Sequence, residues 1–173
     1  MSVNQRLTLS DVEIYSLPRA LEASIDLHDF KCEKENFAEY LYLMAPEDDR
    51  NNVGKFWIFT THQKSIMGYV TLAMSQLGKQ FHKELGRIAS QQYVPGLLIG
   101  QMAGHIDYRG RGLGKLMIDW VIGLALNNLS KYAACRLIIV QSDEDKIDMY
   151  RHWGFVPIDE FEIRRNTMFR RIV

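Results

Sequence analysis

The run Arg109-Gly110-Arg111-Gly112-Leu113-Gly114-Lys115 puts three glycines and three basic side chains into seven residues. It lies between an apolar run, Leu97 to Ala103, and a long stretch of helical period from about Gly112 to Leu129. Amides at the start of a helix have no intrahelical partner, and the helix dipole there favours negative charge. Glycines let a ligand approach the backbone closely, so the chemistry such a turn suits is binding of a phosphate or pyrophosphate. Glycine disfavours helix by about 1 kcal/mol relative to alanine. Three of them in five residues therefore point to a backbone requirement. A P-loop would follow its last glycine with Lys-Ser or Lys-Thr, whereas Lys115 precedes Leu116. A dinucleotide fingerprint needs its third glycine three places after the second, and here the spacing is two.

Other reactive side chains form no such pattern. His28, His62, His82, His105 and His152 lack ligand spacing, and Cys32 and Cys135 are far apart, so no metal site is expected. His105, beside the glycine turn, and Glu84 are candidate general bases, with water as the alternative. Cys135 opens an apolar run and reads as core.

Several elements must position the turn. Phe37, Tyr40, Leu41 and Met44 recur at helical spacing, which predicts a helix over 33–45 ended by Pro46. Phe56 to Thr60 and Ile66 to Leu72 are rich in β-branched and aromatic residues and predict a hairpin. Residues 78–95 turn polar and lose their period, which predicts a functional or partly helical connection. Leu116, Met117, Trp120, Val121 and Leu124 set the stripe of the long helix. Cys135 to Gln141 predicts a central strand, Ser142 the cap of a helix that ends near Gly154, and Phe155 to Pro157 and Phe161 to Ile172 the final strands. The four prolines fall between periodic segments. With no repeat and no linker, residues 1–173 are expected to form a single domain.

At 47% apolar and 24% charged residues the composition excludes a disordered or collagen-like chain. No apolar run approaches the roughly 20 residues of a membrane helix, the N-terminus carries no leader pattern, and two cysteines make no disulfide scaffold. A cytoplasmic protein with no membrane partner is the expectation. Basic and acidic residues balance at 21 each, which argues against a generally basic nucleic-acid binder. The balance is uneven: residues 1–50 hold 11 acids and 5 bases, and the remainder holds the opposite excess. That split suggests an anionic ligand near the turn and a small cationic one near the acids. Arg151, Arg164, Arg165, Arg170 and Arg171 could form a track for nucleic-acid phosphates, interrupted by Asp159, Glu160 and Glu162.

The pattern Arg109-x-x-Gly112-x-Gly114, entered through Tyr108, resembles the acetyl-CoA pyrophosphate loop of the GNAT (Gcn5-related) N-acetyltransferases. Met149-Tyr150-Arg151-His152-Trp153-Gly154-Phe155 is similar to that family's helix ending in Tyr, three residues, Gly-Phe. The two blocks stand in the family's order, and the clear resemblance covers 97–172. It implies a mixed α/β fold: a central, mostly antiparallel sheet of about six to seven strands, about four helices on both faces, and strands splayed at the cofactor site. It implies an acetyl-CoA-dependent N-acetyltransferase that moves the acetyl group to a primary amine by direct attack in a ternary complex. Met102, Ala103 and Gly104 would then leave backbone groups for the pantetheine arm. Arg109, Gly110, Arg111, Gly112, Leu113, Gly114 and Lys115 would hold the pyrophosphate, and Tyr150 would protonate the leaving thiolate. A phenol suits that role, since it donates one proton and its pKa of about 10 is close to a thiol's.

The sequence departs from the family at Asp143 and Lys146, where Asn and Ala are common, and at Gly104-His105, where Val-Asp is common. A fainter likeness, in His28-Asp29-Phe30-Lys31-Cys32, Met67-Gly68-Tyr69-Val70-Thr71-Leu72 and Pro95-Gly96-Leu97-Leu98-Ile99-Gly100, is to the toxin-like branch that acetylates aminoacyl-tRNA. A non-catalytic acetyl-CoA-binding module is the remaining class. Tyr150 speaks against it, because a sensor has no need of a leaving-group acid. Exposed strands near the C-terminus would allow a homodimer.

Overall fold

A computed structural model describes residues 6–88, 90–159 and 166–172. Seven strands are β1 (Glu13–Ser16), β2 (Lys55–Thr60), β3 (Ile66–Gly78), β4 (Tyr93–Gly104), β5 (Leu137–Gln141), β6 (Val156–Pro157) and β7 (Thr167–Arg171). They hydrogen-bond in the order β1-β2-β3-β4-β5-β7-β6. The β4–β5 pair is parallel, while β1–β2, β2–β3, β5–β7 and β6–β7 are antiparallel. The fold is thus mixed α/β with a mostly antiparallel sheet.

Six α-helices are found among the described residues: α1 (Leu17–Glu22), α2 (Glu35–Leu43), α3 (Ala45–Arg50), α4 (Lys83–Ile88), α5 (Leu113–Asn127) and α6 (Ile147–His152). The sequence led us to expect about four. The extra ones are six-residue helices, too short to show a period. No helix among the described residues is long and apolar enough to cross a membrane.

By packing, the chain falls into two compact units, Met1–Leu72 with Gln101–Asp119, and Ala73–Gly100 with Trp120–Val173. In the first unit, β2 pairs with β3 from Lys55↔Leu72 to Phe59↔Gly68, and the register shifts between Phe59 and Thr60. Every residue from Ile66 to Leu72 is buried, because apolar side chains occupy both faces there. Phe30, Leu41, Phe56, Ile58 and Tyr69 centre its core. Asp49 is buried and accepts from Phe56 N at 3.0 Å and from Lys55 Nζ at 3.1 Å, tying α3 to β2. Pro46 does not end a helix in the way expected. It sits in the first turn of α3, where a missing N–H costs nothing, and Pro18 plays the same part in α1.

In the second unit, Leu77, Leu85, Val94, Leu137, Ile139, Ile158 and Phe169 form the core. The polar connection contains α4, as its length required. Pro95 and Pro157 lie inside β4 and β6 rather than between elements. The strand expected over Phe161 to Ile172 appears as β7, and residues 160–165, including Arg164 and Arg165, lie outside the described residues.

Candidate functional site

The glycine turn belongs to the first unit. Gly110 and Gly112 have φ of +76° and +80°, a region that side-chain-bearing residues adopt only with strain, which explains why the sequence places glycines there. The amides of Arg109 and Arg111 are occupied, donating to Ile106 O and Tyr108 O at 3.3 Å each. Leu116 N closes the first helical bond to Gly112 O at 3.0 Å. The amides of Gly110, Gly112, Leu113, Gly114 and Lys115 find no acceptor among the described residues. Five backbone donors at the head of a 15-residue helix fit a phosphate ester.

The basic side chains of the turn are less available than their charge suggested. Arg109 pairs with Glu33 at 3.6 Å, and Lys115 Nζ binds both Asp119 oxygens, with Oδ2 at 2.6 Å. The Arg111 guanidinium lies over the Tyr108 ring, 5.5 Å from its centroid.

Upstream of the turn, Gly68 brings β3 and β4 into close approach. A Cβ there would lie 2.7 Å from Ala103 O, and His105 N donates to Met67 O at 2.7 Å. Within the second unit, the β4–β5 ladder runs only from Gly96↔Leu137 to Ile99↔Val140, and β4 continues five residues beyond it to Gly104. Met102, Ala103 and Gly104 lie in that extension.

His105 is held at both ring nitrogens. Its Nδ1 accepts from Asp107 N at 3.2 Å, and its Nε2 donates to Asp29 O at 3.3 Å. The lone pair a base would use is already engaged, so the ring ties the turn's entry to the segment before α2. Glu84 lies in the first turn of α4, half-buried, with its amide donating to His82 Nδ1 at 3.2 Å.

Tyr150 belongs to the second unit, and the local backbone accounts for the Tyr-x-x-x-Gly-Phe pattern. Gly154 has φ +84°, Gly154 N donates to Arg151 O at 2.9 Å, and Phe155 N donates to Tyr150 O at 3.0 Å. These are the paired bonds of a Schellman cap, whose usual apolar contact joins the residue after the glycine to the one five before it. Phe155 and Tyr150 make that contact edge to face at 5.4 Å, and Trp153 supports the ring at 5.7 Å. Burial, with a smaller contribution from the Asp143 charge, pushes the phenol up to about 12, so it stays protonated at neutral pH. No hydrogen bond to its hydroxyl is found among the described residues. The arrangement is a packed, protonated donor whose hydroxyl finds no hydrogen-bond partner among the described residues.

Ser142 does not cap this helix. Its Oγ donates to Asp143 O at 2.8 Å, and Asp143 stands at the head of a 3₁₀ turn that leads into α6. Cys135 is buried core, and burial raises its thiol. Arg151 pairs with Asp148 at 3.2 Å and Arg170 donates to Trp153 O at 2.8 Å, so two members of the expected basic track are already committed. Among the described residues no cluster of three metal-ligating side chains occurs.

Comparison with known proteins gives the following. The sequence matches the family model of the acetyltransferase (GNAT) domain over residues 52–157. A comparison with curated protein sequences finds no match. The fold is similar to that of AtaT complexed with acetyl-methionyl-tRNAfMet, at 20% identity and TM-score 0.80 over 93% of this chain and 95% of that one. A tyrosine-to-phenylalanine mutant of KacT gives 19% identity and TM-score 0.81 over 94% and 95%. A tyrosine-to-phenylalanine mutant of the AtaT toxin, bound to the C-terminus of the antitoxin AtaR and acetyl-CoA, gives 19% and 0.74 over 94% of each chain. At these identities the likeness is one of fold.

Proposed function

Since the chain belongs to the GNAT family and is an acetyl-CoA-dependent acyltransferase, we propose that its acceptor is the amino group of an aminoacyl-tRNA. In this reading residues 1–173 act as one domain. The observation that carries it is fold likeness over 93% of the chain to AtaT complexed with acetyl-methionyl-tRNAfMet, well beyond the 52–157 that the family model matches.

The charge argument for a small cationic amine weakens at the same time, because six of the eleven acids behind it have protein partners. Glu13 holds His62 and Tyr15, Asp11 holds Thr8, and Asp26 caps His28 N. Asp48 holds Tyr40, Asp49 holds Lys55 and Phe56, and Glu33 faces Arg109. Of these acids, Asp49 and Glu33 face a lysine and an arginine, Lys55 and Arg109, so part of the acidic excess is already balanced within the chain.

Acetyl-CoA supplies the activated thioester. The amides of Gly110, Gly112, Leu113, Gly114 and Lys115 hold its pyrophosphate, and the extension of β4 at Met102, Ala103 and Gly104 offers backbone groups to the pantetheine arm. Tyr150 keeps its proton until the amine nitrogen has attacked the carbonyl and the carbon–sulfur bond breaks, then gives it from Oη to the departing sulfur. A phenol at about 12 is a weaker acid than the free side chain. With His105 held at both nitrogens, water takes the proton lost by the attacking nitrogen, and the Tyr150 phenolate regains its own proton from solvent after the thiol departs.

The test offers acetyl-CoA with charged tRNAs, free amino acids and polyamines in parallel and identifies acetylated products by mass. Acetylated aminoacyl-tRNA, with free amines untouched, is expected. Equal turnover of free amines would return the acceptor to the small-amine class. Acetyl-CoA binding with no transfer to any amine would leave a binding module.

A further inference from the structure

The N-terminal segment reaches the glycine turn. Leu7 N donates to Arg111 O at 2.9 Å, and the Leu7 side chain is buried, which anchors the backbone at that point. One residue earlier, the Arg6 side chain lies along Gly112. Its Cγ and Nε are 3.2 and 3.3 Å from the position a Cβ on Gly112 would take. Arg6 is exposed, and no carboxylate pairs with it among the described residues. Arg109 and Lys115, by contrast, face Glu33 and Asp119. The arginine that lies along the turn's second left-handed glycine therefore has no carboxylate partner among the described residues.

We propose that Arg6 is a further binding residue for the donor, clamping its pyrophosphate against the amides of the turn. A guanidinium presents a planar fork of donors that matches phosphate oxygens in pairs, and it remains charged at any working pH. The turn's amides carry only partial positive charge, about half an elementary charge for a helix end. A pyrophosphate brings more negative charge than they balance. Arg6 supplies a full charge on a segment whose backbone is already bonded to the turn, and an exposed side chain loses little hydration before the ligand arrives. Gly112 has a second reason to be glycine here, since an added Cβ would make the Arg6 side chain give by a few tenths of an ångström.

The inference rests on the reading of the turn as the donor's phosphate site, and the test separates the two. Equilibrium binding of acetyl-CoA and of 3′-dephospho-acetyl-CoA is measured for the wild-type chain, Arg6→Ala and Arg6→Lys, with thermal unfolding of each. Loss of one charge-assisted hydrogen bond corresponds to roughly ten- to hundredfold weaker binding. Arg6→Ala is expected to lose that factor equally for both ligands, with unchanged unfolding, a shallower salt dependence and partial recovery in Arg6→Lys. Loss confined to acetyl-CoA would move Arg6 to the 3′-phosphate and overturn the pyrophosphate assignment. Wild-type affinity in Arg6→Ala would overturn any role in binding, as would a loss that tracks a lowered unfolding temperature. A wild-type chain that binds neither ligand would bring down the reading of the turn itself.

Discussion

Gly68→Ala tests how the strand leading into the turn is held. The added Cβ would lie 2.7 Å from Ala103 O, 3.2 Å from Met117 Sδ and 3.3 Å from Leu113 Cδ2. Sulfur and methyl groups at the ends of side chains can yield, but a backbone carbonyl inside a strand cannot move without its neighbours. Overpacking of this kind costs about 1–3 kcal/mol. For a chain of this size each kcal/mol lowers the unfolding midpoint by about 2–4 °C, so a fall of roughly 2–12 °C is expected. Gly104→Ala is the matched control. It has no left-handed φ and meets only Leu113 Cδ2 at 3.3 Å, so it should cost well under half as much. The assay is thermal unfolding of wild type and both variants, with acetyl-CoA affinity measured on each. Moving Ala103 should also weaken binding in Gly68→Ala. A Gly68→Ala midpoint equal to wild type would refute the close-approach argument, and equal losses in both variants would show that crowding at Leu113 dominates.

Two further outcomes follow from the second unit and from the phenols. Gly154→Ala must hold alanine at φ +84°, which costs about 1–2 kcal/mol. It should loosen the cap that seats Tyr150, lowering turnover while acetyl-CoA affinity stays; an unchanged midpoint and turnover would contradict it. Burial drives Tyr40 and Tyr150 up to about 12, with Asp48 and Asp143 adding to it, and burial pushes Tyr69 up as well. Phenols in the unfolded chain titrate near about 10. Between these values the folded chain binds more protons, so this stabilisation is complete below about pH 10 and is lost as pH rises through about 12. Unfolding midpoints followed against phenolate absorbance should fall across that window, and a flat midpoint would contradict the shifts.

The turn and the Tyr150 block were legible because each rests on a backbone requirement that only glycine meets. Gly110, Gly112 and Gly154 all have positive φ, and the Schellman cap explains the Gly-Phe ending in local terms. The long helix and the β2–β3 hairpin were legible from their apolar patterns. β1 was not, since its four residues are all half-buried and show no alternation. Nor were α1 and α3, where Pro18 and Pro46 start helices instead of stopping them. His105 accepts from Asp107 N as a local cap, but its bond to Asp29 O spans 76 residues, and no local pattern carries that information. Arg6 was invisible for the same reason, being about a hundred residues from the glycine it covers.

The most direct measurement is free-thiol release by Tyr150→Phe at saturating acceptor, with acetyl-CoA affinity determined on the same protein. The phenyl ring keeps its contacts with Trp153 and Phe155, so fold and donor binding are retained while the proton donor is lost. The account predicts turnover lower by about 10²–10⁴-fold with unchanged affinity. Full turnover with undisturbed affinity would contradict it.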